Sequence, residues 1–84
     1  MQSRKEITAG NFYYKKGNYR AATNRYRRAA QYDDGNSEAW LKLGESAEKV
    51  KDAETAKEAY NKYLSSAPDA KNATEIRKKL EKLK

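Results

Sequence analysis

The chain has 84 residues, 37% hydrophobic and 37% charged, with a net charge of +7 and a mean hydropathy of -1.28. That composition supports one modest core, and only where the few apolar residues are well placed. The absence of Cys and His excludes disulfides, thiolate metal sites, cysteine nucleophiles, and the commonest general base and metal ligand.

No apolar run approaches the roughly 18 residues of a membrane span. The start Met1-Gln2-Ser3-Arg4-Lys5 carries no apolar segment behind its charges, so neither an anchor nor a signal peptide is expected. Compartment stays unassigned: cytoplasmic, or periplasmic if a signal has been removed. The charge is uneven: eight Lys/Arg against three acids in residues 1–36, five against seven in 37–70, and six against two in 71–84. Such a layout suits an interaction surface.

In chain order, apolar spacing and end signals predict helices over 4–16, 19–32, 37–50, 53–65 and 72–83. Ser3 and Glu6 read as a capping box at the first. Gly17 can take the left-handed conformation that ends that helix, and Asn18 can cap the second. Asp33-Asp34-Gly35-Asn36 is a turn, from which Asn36 or Ser37 caps the third helix. Asp52 is placed to cap the fourth, which Ser65-Ser66-Ala67-Pro68 ends. Asn72 and Glu75 form a second candidate capping box. The fifth helix carries the apolar stripe Ala73, Ile76, Leu80 and Leu83, with Lys71, Arg77, Lys78, Lys79, Lys82 and Lys84 elsewhere. One face can cover a hairpin while the rest meets water, as a terminal cap requires.

An offset of 34 relates the two halves. Gly10 recurs as Gly44, Lys15 as Lys49, Ala22 as Ala56 and Tyr26 as Tyr60. Trp40, Leu43 and Gly44 open the second unit, Ala56 and Tyr60 follow, and Pro68 closes it. The first unit matches through Gly10, Tyr13, Gly17, Tyr19, Ala22, Tyr26 and Ala29. Period and pattern together resemble the tetratricopeptide repeat (TPR) family. The resemblance implies an all-α fold: two antiparallel helix-turn-helix hairpins, residues 3–36 and 37–70, and a capping helix, 71–84. These form one right-handed α-solenoid domain over 1–84. Four positions depart from the pattern: Glu6 stands for Trp40, Asp34 for Pro68, Lys51 for Gly17 and Tyr63 for Ala29. The run Phe12-Tyr13-Tyr14-Lys15-Lys16-Gly17-Asn18-Tyr19 also resembles repeat proteins of the bacterial envelope, and the tidy caps resemble consensus or engineered arrays.

Periodicity assigns the aromatics to the core. Glycines 10 and 44 would admit close approach of the paired helix, whose Tyr26 or Tyr60 fills the space. Trp40 joins the core in the same reading.

The resemblance further implies a non-catalytic interaction module whose first helices line a peptide groove. In this sequence the groove residues are Arg4, Ile7, Thr8, Asn11, Tyr14 and Lys15 from the first unit. Leu41, Lys42, Glu45 and Lys49, with Glu38 and Glu48 beside them, come from the second. Basic residues there suit an acidic peptide or protein. The lysine–asparagine clamp with which some members hold chaperone tails is matched at Asn11 alone among five positions. The alternative is a minimal or designed scaffold with no native ligand. A third reading, a nucleic-acid-binding adaptor, rests on the outer stripe Arg20, Arg27 and Arg28, with Asn24 and Gln31 alongside, since phosphate contacts need only basic groups. No cofactor or metal is expected. The chain reads as a monomer, or as weakly self-associating through an uncapped first helix.

Overall fold

The computed structural model describes residues 2–83; Met1 and Lys84, the latter counted in the basic face of the last helix, lie outside the described residues. Five helices follow one another: α1 (Gln2–Lys15), α2 (Tyr19–Tyr32), α3 (Ser37–Lys49), α4 (Ala53–Ser66) and α5 (Ala73–Lys82). No strand occurs among the described residues. Helices α1 and α2 pack as one hairpin and α3 and α4 as another, with α2 against α3 and α5 against α4.

The 34-residue offset is repeated atom for atom at the turns. Gly17 sits at φ 82° and Lys51 at φ 65°. In the first turn the Asn18 amide donates to Tyr13 O (2.9 Å) and the Gly17 amide to Tyr14 O (3.0 Å). In the second, Asp52 donates to Ala47 O (2.9 Å) and Lys51 to Glu48 O (3.1 Å). Both are left-handed helix stops that satisfy carbonyls left over at the C-terminus. A lysine does in one what glycine does in the other.

Three predicted caps are in place. The Ala21, Ala39 and Thr55 amides donate to the side-chain oxygens of Asn18 (3.2 Å), Asn36 (3.4 Å) and Asp52 (3.1 Å). The Thr55 hydroxyl adds a second bond to Asp52 at 2.7 Å. Hydrogen bonds from the Thr55 side chain and amide together hold the Asp52 carboxyl below its ordinary pKa, because they stabilise the charged form.

Two predicted capping boxes are corrected. Helix α1 already includes Ser3, which is buried and donates its hydroxyl to Ala29 O (2.9 Å) while accepting from Asn36 Nδ2 (3.0 Å). It joins α1 to α2 and to the next loop. Asn72 makes no side-chain cap bond, because its Oδ1 accepts from the Tyr63 hydroxyl at 2.6 Å. A tertiary partner captured each oxygen. Tyr63, bulky where the first hairpin has Ala29, thus ties α4 to the start of α5.

The glycines set the hairpin spacing. A Cβ placed on Gly10 would fall 2.6 Å from Tyr26 Cδ1, and one on Gly44 would fall 2.5 Å from Tyr60 Cε1. Glycine inside a helix is unfavourable by about 1 kcal/mol. Burying a large side chain in the space it leaves stabilises by roughly 1.5–3 kcal/mol, so the exchange favours close packing. Tyr26 and Tyr60 are 1% and 0% exposed.

Around these rings the core forms two clusters. Ile7, Ala22, Tyr26, Ala29 and Ala30 meet Ala39, Leu43 and Ala59 in one. Ala47, Ala56, Tyr60, Tyr63 and Ile76 make the other, covered by Leu80 and Leu83 from the α5 side. Trp40 packs against both but is itself half-buried. Its indole N–H donates to Asp34 O (2.7 Å), and Lys62 Nζ lies 5.9 Å from its ring. Assignment of this ring to the core interior is therefore corrected: Trp40 is a seam between hairpins.

Candidate functional site

Helices α1 and α3 run side by side, and a cleft of about 470 Å³ opens between them. It is lined by Thr8, Asn11, Phe12 and Lys15 along one stripe of α1, by Tyr14, by Lys42 and Glu45 of α3, and by Tyr26 beneath. At one end it continues past Thr8 and Asn11 to Arg4, Asn36 and Glu38. At the other it continues past Tyr14 and Glu45 to Glu48, Lys49 and Lys79. The three segments share residues and form one trough.

Polar groups in the trough are held from below. The buried Tyr26 donates its hydroxyl to Asn11 Oδ1 at 2.5 Å, which leaves the Asn11 amide hydrogens as donors into the cleft. The equivalent Tyr60 donates to Glu48, and Lys79 Nζ approaches the same carboxylate at 3.5 Å. Burial pushes the Tyr26 phenol up to about 12. Burial, then the Glu48 hydrogen bond, raises Tyr60 further. Both hydroxyls therefore stay protonated donors across the neutral range. Burial followed by the nearby Glu45 charge raises Tyr14 as well. Tyr14 stacks edge-on against Tyr19 (5.0 Å), over which Lys49 Nζ lies at 5.5 Å.

Of the residues predicted for the groove, Thr8, Asn11, Tyr14, Lys15, Lys42 and Glu45 share the central cleft. Arg4 and Lys49 stand in its two extensions. Ile7 lines the first extension beside Arg4 and Thr8, whereas Leu41 lines none of the three segments. Ile7 is 6% exposed within the first core cluster, and Leu41 is half-buried against the second. These two equivalent apolar positions hold the units together.

Sequence reasoning missed Phe12, Tyr26 and Lys79. Phe12 was assigned to the core with the other rings, yet it is 55% exposed. Its place four residues after Thr8 and three before Lys15 puts it on the same helical face as both, a signal present in the sequence. Tyr26 is core by its ring and groove by its hydroxyl, which periodicity alone does not separate. Lys79 enters only because α5 folds back.

The outer basic stripe is divided. Arg27 is half-buried and donates to Thr55 Oγ1 and Asn24 Oδ1, both at 3.4 Å. Arg20 and Arg27 border a depression closed by Val50 and Asp52. Arg28 lies apart with Gln31 and the exposed Tyr32. Among the described residues no three His, Cys, Asp or Glu side chains gather as a metal site, and no helix is long and apolar enough to cross a membrane.

The family model for the tetratricopeptide repeat matches residues 13–80. No curated protein matches the chain. Repeats of this type generally mediate protein–protein interaction.

Proposed function

The chain belongs to the tetratricopeptide repeat family, and from that premise we propose that it is a non-catalytic module that binds an acidic peptide segment along the trough between α1 and α3. The 84 residues act as one unit, with α5 as its closing helix. The observation that carries this reading is the cleft itself, where Lys15, Lys42 and the Asn11 amide border the Phe12 and Tyr14 rings. Cationic groups and a fixed donor favour a carboxylate, and the rings offer apolar area for a neighbouring side chain.

Lys15 is exposed and Lys42 half-buried. Such pairs contribute about 0–1 kcal/mol each and are screened by salt. A free peptide should therefore bind no tighter than roughly micromolar, worth about 8 kcal/mol. Calorimetric titration with a panel of short acidic peptides tests this. Lys15→Ala and Lys42→Ala should each weaken binding several-fold while leaving the melting curve unchanged. Absence of any heat at low salt across the panel would defeat the groove reading and favour a scaffold without a ligand. The basic stripe supports nucleic-acid binding less well, since Arg27 is engaged with Thr55 and Asn24.

A further inference from the structure

The two hairpins share a fold, yet they differ sharply on the side that faces up the chain. In the second hairpin that side is buried against the first. Ala39, Leu43 and Ala59 sit within the cluster built from α1 and α2, and Trp40 packs on it. Ser46, one turn beyond Leu43, is 0% exposed. Small and apolar residues at these places let α3 approach closely.

Thirty-four residues earlier, the same positions of the first hairpin are Lys5, Glu6, Ala9, Phe12 and Arg25. Charge is wrong for docking: Glu6 and Arg25 occupy the places of Trp40 and Ala59 and pair across the hairpin at 3.2 Å. Taking such a pair out of water is unfavourable unless its partners are replaced by equally good ones, and an apolar hairpin side offers none. Shape is wrong as well. Phe12 stands where the second hairpin has the buried Ser46.

The rings are also satisfied where they are. Phe12 and Tyr13 meet edge-on at 5.4 Å. Lys16 Nζ lies 5.0 Å from the Phe12 ring, and the Arg25 guanidinium 6.0 Å from Tyr13. A partner docking on these rings would have to displace both cations and forfeit their attraction to the ring faces. The opposite side of the molecule is covered by α5, whose Ile76 is 3% exposed against Tyr60 and Tyr63.

We infer that the outer side of the α1–α2 hairpin is an end face closed to a second copy of this chain, with the Glu6–Arg25 pair and the Phe12 ring closing it. Of the two states the sequence left open, monomer or weak self-association through α1, this favours the monomer, and it does not depend on the groove reading. Closure by charge and shape leaves the chain monomeric while its trough stays open.

Analytical ultracentrifugation of the full chain from micromolar to millimolar concentration tests the inference. The wild-type mass should stay that of a monomer throughout. A threefold variant that copies the second hairpin's face, Glu6→Trp, Phe12→Ser and Arg25→Ala, should gain mass with concentration while keeping its helical circular dichroism. The charge half alone, Glu6→Trp with Arg25→Ala, perturbs the fold less and should shift the same way. A wild-type mass that rises with concentration and is restored to monomer by Phe12→Asp would overturn the inference. So would a folded copy-face variant that stays monomeric.

Discussion

Replacing Gly44 with Ala sets helix propensity against steric overlap. Alanine should favour α3 by about 1 kcal/mol over glycine. Its Cβ, however, would stand 2.5 Å from Tyr60 Cε1, 2.6 Å from Cδ1 and 2.9 Å from Cζ. Ordinary carbon contacts lie near 3.5–4.0 Å, so the ring must retreat by about 1 Å. It has little room to do so, being 0% exposed and anchored through its hydroxyl to Glu48. Overpacking of this kind destabilises by about 1–3 kcal/mol, and a caged ring belongs at the upper end. The net loss is about 2 kcal/mol, from roughly 3 of overlap against 1 of propensity. For a domain this small that lowers Tm by about 8–16 °C. Circular dichroism melts of wild type, Gly44→Ala and Gly35→Ala make the comparison. Gly35 has only Asp33 Oδ1 near, at 3.5 Å, and its variant should stay within about 0.5 kcal/mol of wild type. Gly10→Ala should repeat the Gly44 result against Tyr26. If Gly44→Ala melts at or above the wild-type temperature, Tyr60 does not pack under that glycine and the account of hairpin spacing fails.

Lys51→Gly should stabilise the fold by about 0.5–1 kcal/mol, because Lys51 sits at φ 65°; relief of left-handed strain outweighs the added chain entropy. A urea midpoint that does not rise would count against it. Trp40→Ala should destabilise by about 2 kcal/mol, less than the 3–5 typical of a fully buried ring. The indole is half-buried and loses one hydrogen bond, to Asp34 O, and a loss above about 4 kcal/mol in denaturant titration would contradict that placement. Stability should fall as pH rises from about 10 to 12. The Tyr26 phenol ionises near its ordinary 10.0 when unfolded but only at about 12 when folded, so above 10 the unfolded chain binds fewer protons and gains ground. Tyr26→Phe should flatten part of that decline in pH-dependent melts, and an unchanged slope would place the phenol in water.

The 34-residue offset carried the architecture, because its anchors act over short distances. Gly17, Asn18, Asn36 and Asp52 end or begin helices through bonds to backbone within a few residues, and such bonds follow from local sequence. The stripe Arg4, Thr8, Asn11 and Lys15 was legible for the same reason, since helical spacing assigns a face without knowing what lies opposite. Tertiary structure decided the groups with more than one potential partner. Ser3 and Asn72 had cap positions by spacing, but Ala29 O and the Tyr63 hydroxyl lay within reach once the helices packed. Phe12 looked like core because aromatics usually are, yet no described helix packs over its ring, which stays exposed at the edge of the cleft. Glu6 and Arg25 are 19 residues apart and meet because the hairpin closes. Tyr26 belongs to the core through its ring and to the trough through its hydroxyl, and no periodicity reports where the far end of a side chain arrives. Local bonding chose the helices and their order, while competition among distant partners chose which polar groups were left unengaged along the trough.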